Sequence, residues 1–324
     1  MNFNNKFDIY EKFVKSYNTF GFDFNINIAR LFLCFFLIWK LLSRDFSFYG
    51  YIPNDVFGFY PIEIYSPLTI VWWTGTSVIT NIFTMHWIHW FIDRPTPETL
   101  EIIQILSITV LILFAIFGRG PKKIFALISY LLLIYLWGHL FLLGQEIDSV
   151  ALYFGIFLVL IFSNYNDAPI WKFKDIFFMK KNINAGKTIS LMYLVFVAYY
   201  FSSGLNKLTD ITILEWFKYD LIFTIKKMWL SSKYTSIYVP DIFQHLFFLE
   251  YWGNLFPSIV YVSHLIVPVV FFNRSKVVYF FLFYALFHFM TFGVGISFTG
   301  YILVWGCLFH YREWFSRKNL NNGF

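Results

Sequence analysis

The chain has 324 residues, of which 58% are hydrophobic, 24% aromatic and only 14% charged. A soluble domain carries about a quarter charged residues, so this composition excludes a sizeable water-facing domain and predicts an all-α, polytopic integral membrane protein. The net charge of +6 gathers in short loops with no basic helix or zinc spacing, which suits an anionic leaflet and membrane lipids as partners and excludes nucleic acid.

Residues 1–24 are polar and amphipathic and lack a small-residue cleavage site, so they read as a retained cytoplasmic tail. A membrane domain is expected over 25–312, with a second cytoplasmic tail at 313–324. Backbone groups in a bilayer must be satisfied within their own segment, so the long apolar runs are helices. Spans are predicted over 28–42, 101–117, 124–143, 150–162, 189–205, 256–272, 277–293 and 295–311, about eight in all. Arg30, at the inner end of the first span, reads as a residue that snorkels to headgroup phosphates. Segment 43–98 contains an apolar stretch at 65–91 with Trp72, Trp73, Trp87 and Trp90, expected to be interfacial or re-entrant. His86 and His89 in it are three apart, but no third ligand is evident, so aromatic packing is expected and no metal. Cys34 and Cys307 both fall inside apolar runs and give no disulfide framework.

Loop charge tests this count. Arg119, Lys122 and Lys123 form one basic group; Lys172, Lys174, Lys180, Lys181 and Lys187 form another; Arg274 with Lys276, and Arg312 with Arg317 and Lys318, complete the set. With eight spans and a cytoplasmic amino terminus, all four groups fall inside, and Glu146 and Asp148 fall in an opposing loop. Both termini are then cytoplasmic in a multi-pass protein of the cell membrane. Lys218, Lys226, Lys227 and Lys233, in the long outer segment 208–255, go mildly against the rule.

Ionisable residues inside spans are costly and mark candidate sites. His139 lies sixteen residues beyond Lys123, roughly 24 Å up at about 1.5 Å per residue. His288 lies twelve beyond Lys276, roughly 18 Å up, and Lys207 twenty beyond Lys187, roughly 30 Å up. These three therefore share the outer half of the membrane, a geometry suited to acid–base chemistry or anion binding. Each also has a plainer role available: Lys207 as a snorkelling helix end, the histidines as helix-to-helix hydrogen bonds. His264, near the middle of the sixth span, either lines the same cavity or bonds a neighbour.

The stretch YYFSSGLNKLTDITILEW at 199–216 resembles the Y-x-x-A-G-L-x-K-L…W pattern of the horizontally transferred transmembrane (HTTM) family, which includes vitamin K-dependent γ-glutamyl carboxylase. YGYIPNDVFGFYPIEIYSPL at 49–68, LWGHLFLLG at 136–144 and FHFMTFGVGISFTGYI at 287–302 resemble further family segments in the same order. The resemblance covers roughly 25–312 and is to a compact, bacterial-type member of the family, a group that includes SdpB-like proteins. Ser203 replaces the small residue before the motif glycine, and an insertion separates Lys207 from Trp216. The resemblance implies Lys207 as a base, with His139 and His288 assisting, and a vitamin K hydroquinone-like quinol as cofactor. The 324 residues hold no counterpart of the carboxylase's propeptide-reading domain, so propeptide-directed carboxylation is not expected. The expected ligand is a quinone-like lipid or a peptide carboxylate. The alternative is a non-catalytic factor for maturation, export or immunity of a secreted peptide or protein. No inverted repeat supports a transporter.

Overall fold

A computed structural model describes residues 4–52, 88, 93–142, 147–210, 255–272, 277–292 and 304–308. The regular elements among the described residues are all helices, and no strand occurs among them beyond an isolated antiparallel bridge between Gly21 and Asn182. The chain forms two compact units, Met1–Asn25 with Lys181–Phe324, and Ile26–Lys180. Among the described residues three helices are long and apolar enough to cross a membrane: Asp23–Leu42, Pro97–Phe117 and Pro121–His139. Their exposed residues include Phe35, Trp39, Leu42, Ile102, Ile105 and Leu131. Such faces are unfavourable in water and suit hydrocarbon, which is consistent with a membrane protein. The segment 53–87, which holds most of the Trp-rich stretch, lies outside the described residues, as does most of 295–311.

The second unit contains most of α2 (Asp23–Leu42), then α3 (Pro97–Phe117), α4 (Ile124–Leu142), α5 (Ile147–Phe162) and a short α6 (Phe173–Phe177). Helix α3 starts where Thr96 accepts a hydrogen bond from the Thr99 amide and Pro97 fills the first turn. Its inner face buries Leu100, Leu111 and Phe114, the last against Phe157 of α5 at 5.1 Å between ring centroids. Gln104 is the polar exception on α3. Its side-chain amide donates to the carbonyls of Leu41 (2.7 Å) and Arg44 (2.8 Å) and accepts from the Phe46 amide, closing the carboxyl end of α2. That contact folds 43–46 back and starts the 3₁₀ turn Ser47–Tyr51 against α3.

Arg30 does not snorkel. Its side chain is fully buried, its guanidinium pairs with Asp167, and it donates to the carbonyls of Ala168 (2.8 Å) and Ala115 (3.3 Å). Asp167 also accepts from the Arg119 amide and lies 3.7 Å from the Arg119 Nε. Arg119 in turn donates to the Ser163 carbonyl at 2.8 Å and the Tyr165 carbonyl at 3.0 Å, with its guanidinium 4.1 Å over the Tyr165 ring. Asn27, almost one turn before Arg30, reads the same loop: it donates to the Asn166 carbonyl and accepts from the Ala168 amide. An arginine this deep finds a carboxylate before it finds headgroups, because pairing removes the cost of a lone buried charge.

In the first unit, α1 (Asn4–Tyr17) is a docked helix. Phe13 packs on Phe271 at 5.0 Å, and the Ser190 hydroxyl donates to the Tyr17 carbonyl at 2.9 Å. It rests on α7 (Ile183–Asp210), which begins six residues before the predicted span at 189. The Asn182 side chain sets that start by accepting from the Ala185 amide at 2.7 Å while its own amide donates to Asp23. A Cβ on Gly186 would sit 1.6 Å from the Thr19 carbonyl oxygen, so only glycine permits this approach. Further along are α8 (Leu255–Ile266), α9 (Pro268–Phe272), α10 (Val277–Phe292) and a helical turn at 304–307. Pro268 opens α9, consistent with the break after Ile266.

Asp167 is the one carboxylate facing two buried or half-buried guanidiniums among the described residues, so its loss is expected to exceed that of either arginine alone. Asp167→Asn is expected to lower stability by about 3–5 kcal/mol, and Arg30→Met by less, since Arg119 keeps its partner. Thermal melting of the purified protein in detergent checks this; equal small effects from both changes would contradict the shared-carboxylate account.

Candidate functional site

His139 sits in the last turn of α4 and is buried. Its Nδ1 lies 3.2 Å from the Tyr135 carbonyl, four residues earlier. A carbonyl only accepts, so Nδ1 is the donor in this contact. The imidazole meets the Tyr135 ring edge-on at 5.2 Å and the Tyr49 ring at 6.0 Å. Tyr49 reaches this position because Gln104 holds the turn that carries it. Thus two of the resemblance-bearing segments, the one starting at Tyr49 and the one around His139, meet in the second unit.

Arg94 joins them electrostatically. It lies in the loop before α3, where burial draws its guanidinium down to about 10, with the Tyr135 hydroxyl acting in the opposite sense. It therefore stays cationic at neutral pH and places a positive charge within electrostatic reach of Tyr135. An imidazole, a phenol and a guanidinium together are equipped to hydrogen-bond an oxygen and to balance a negative charge on it.

The first unit holds the other sequence-predicted residues. Lys207 lies on the last turn of α7 and His288 on α10; their side chains are outside the described residues. The expected convergence of Lys207, His139 and His288 on one cavity, and the pair His86 and His89, likewise lie outside what is described. Backbone position is informative nonetheless. At about 100° per residue, position 207 falls about 20° from Tyr200, two turns below it, and about 160° from Leu205. Tyr200 is 2% exposed, whereas Leu205 is 42% exposed. Position 207 thus shares the azimuth of Tyr200 and lies opposite that of Leu205 on the helix.

Below it runs an aromatic column. Tyr200 stacks on Tyr284 at 4.2 Å, and His264 stacks on Tyr284 at 5.6 Å and lies 5.4 Å from Tyr200. Trp305 stacks on Phe196 at 4.9 Å and lies 6.1 Å from Tyr200. Ser263 donates to the Tyr284 hydroxyl at 3.3 Å. His264 is therefore part of this aromatic packing. Gly204 makes it possible, because a Cβ there would lie 3.0 Å from the His264 Cβ and 3.2 Å from Leu265. The motif glycine is the point where α7 and α8 touch, one turn before Lys207.

Sequence reasoning reached His139 because an ionisable residue in an apolar run stands out. It missed Tyr49, Tyr135 and Arg94. The four-residue spacing of Tyr135 and His139 was the available signal; the arginine, outside any span, gave none. No family model, curated protein or solved structure matches the chain.

Helix propensity favours alanine over glycine by up to about 1 kcal/mol, while overpacking costs about 1–3 kcal/mol. Gly204→Ala is therefore expected to lose about 1 kcal/mol and Gly204→Val about 3 kcal/mol. Leu205→Ala, on the exposed side, should change little. Melting temperatures of the three variants check the order; a neutral Gly204→Val would mean that α7 and α8 do not meet at this residue.

Proposed function

We propose that the chain is a multi-pass membrane protein of about eight spans with cytoplasmic termini, built like the HTTM proteins it resembles. In this reading an outward-opening cavity takes a quinone-like lipid or a peptide carboxylate. Lys207 is its base or anion contact, and His139 and His288 support it. The observation that carries the reading is the azimuth of position 207. A snorkelling lysine needs no particular face, yet this position follows the line of buried Tyr200 and opposes exposed Leu205. In the base role Lys207 would accept the hydroxyl proton of a bound quinol-like lipid. In the contact role the ammonium pairs with a carboxylate. The His139–Tyr135–Arg94 group supports either role by favouring negative charge on an oxygen.

Topology is tested by cysteine labelling at Lys122, Lys180 and Asn273. All three are expected to react only from the cytoplasmic side, and one outside signal breaks the eight-span count.

Lys207 is tested in a strain deleted for the gene, with expression of each variant measured. Arginine stays protonated at any ordinary pH and cannot replace a base. For a base, Lys207→Arg and Lys207→Ala both express and both fail to complement. For an anion contact, arginine restores part of the activity and alanine none. Full complementation by Lys207→Ala removes the lysine from the site and favours the non-catalytic role in peptide maturation, export or immunity.

A further inference from the structure

At the lysine-bearing end of the second unit an open cavity of about 710 Å³ lies beside the Asp167 cluster. Four cationic side chains line it, Arg119, Lys122, Lys123 and Lys172, against the carboxylates of Asp167 and Asp175. Asp167 is committed to Arg30 and Arg119, and one carboxylate cannot neutralise two guanidiniums. Lys123 spends its ammonium on the Ile161 carbonyl near the end of α5. Lys122 and Lys172 are exposed, and among the described residues their ammonium groups make no hydrogen bond or ion pair. The cavity therefore carries an excess of positive charge with two uncommitted ammonium groups at its rim.

The backbone at the rim is unusual as well. Lys122 and Lys123 both adopt positive φ, 49° and 62°. Two consecutive non-glycine residues in the left-handed region are uncommon, and such conformations persist only where surrounding contacts hold them. Here the turn sends Lys123 back to cap α5 while Lys122 stays on the cavity.

What surrounds the cavity identifies the source of the anion. The adjoining segment, IWKFKDIFFMKK at 170–181, interleaves lysines with large apolar side chains that project outward. Trp171 is 61% exposed and Phe178 65%, and Trp171 rests edge-on against Phe117, the last residue of α3. Exposed tryptophan and phenylalanine beside lysines, at the end of a helix apolar enough to span, match the chemistry of the headgroup layer. A soluble phosphate needs no such collar, whereas a phospholipid has acyl chains for the collar and a phosphate for the lysines.

We propose that this cavity is a binding site for the phosphate of an anionic phospholipid, with Lys122 and Lys172 as its ammonium contacts. The proposal uses neither Lys207 nor His139 and does not depend on their role. The test is native mass spectrometry of the full-length protein in neutral detergent, titrated with phosphatidylglycerol, phosphatidylcholine or inorganic phosphate. Wild type is expected to retain phosphatidylglycerol roughly tenfold better than phosphatidylcholine. Lys122→Gln with Lys172→Gln should abolish that preference without changing the melting temperature, and Lys122→Arg with Lys172→Arg should keep it. Lys12→Gln with Lys15→Gln, which removes the same charge from α1, should also keep it. Equal retention of the two lipids by wild type overturns the proposal, as does a preference that survives in the Lys122/Lys172 glutamine pair. An equal loss in the Lys12/Lys15 pair would reduce the effect to overall charge. Displacement of phosphatidylglycerol by millimolar inorganic phosphate would assign the site to the free ion instead.

Discussion

The carboxylate of Asp167 holds the second unit in register. It binds Arg30 from the middle of α2 and the Arg119 backbone and side chain from the turn between α3 and α4, while its own loop follows α5. Four helices are thus tied at one point by one acid. A buried ion pair is a poor source of net stability, because desolvation offsets most of the attraction. Its effect is on alternatives. Any sliding of α2 by one residue rotates Arg30 about 100° away from the loop, and a guanidinium facing lipid is far worse than a misplaced leucine. Burial likewise pushes the Tyr165 hydroxyl up, with the Asp167 charge adding to it, so the ring under the Arg119 guanidinium remains a neutral phenol.

The same logic explains the other polar residues of an otherwise apolar chain. In lipid, helices gain little from apolar contact alone, since acyl chains are as apolar as leucine. Register must come from polar groups and from shape. Gln104, Asn27 and Ser190 each spend side-chain hydrogen bonds on backbone distant in sequence, and Asn182 donates to the distant Asp23 side chain. Asn25 does so at the longest range, donating to the Cys307 carbonyl at 2.8 Å. Gly186 and Gly204 supply the shape, each admitting a neighbour that any side chain would push away. Gln104 shows the link to chemistry: by closing the end of α2 it also delivers Tyr49 to His139.

Hydropathy made the helices legible, because apolar run length is a local property. It also made His139 legible, as an ionisable residue with apolar neighbours. Arg30 was misread for a physical reason: an arginine near a span end looks the same whether it reaches for phosphate or for a carboxylate. The difference lies in Asp167, 137 positions away, in a loop whose lysines drew attention to its charge rather than to this half-buried acid. The early start of α7 was missed similarly. The residues at 183–188 are polar enough to read as loop, and only the docked α1 and the Asn182 cap make them helix. Arg94 carries no mark in the sequence at all; its proximity to Tyr135 depends on how the chain enters α3.

Helix α7 joins the two themes. At 28 residues it runs roughly 42 Å. Near its beginning it is fixed rotationally by the Asn182 cap, by Ser190 on the Tyr17 carbonyl and by the Gly186 contact with Thr19. Further along, Phe196 and Tyr200 lock it again through the stacks with Trp305 and Tyr284. Position 207 comes seven residues after the last of these, so its direction is inherited from both sets. Slipping the helix by a single residue would turn that position about 100°, toward the side Leu205 occupies. The features that dock the amino-terminal helix therefore also help to set the azimuth of position 207 at the far end. In a chain this apolar, that azimuth rests partly on a handful of hydrogen bonds and one glycine.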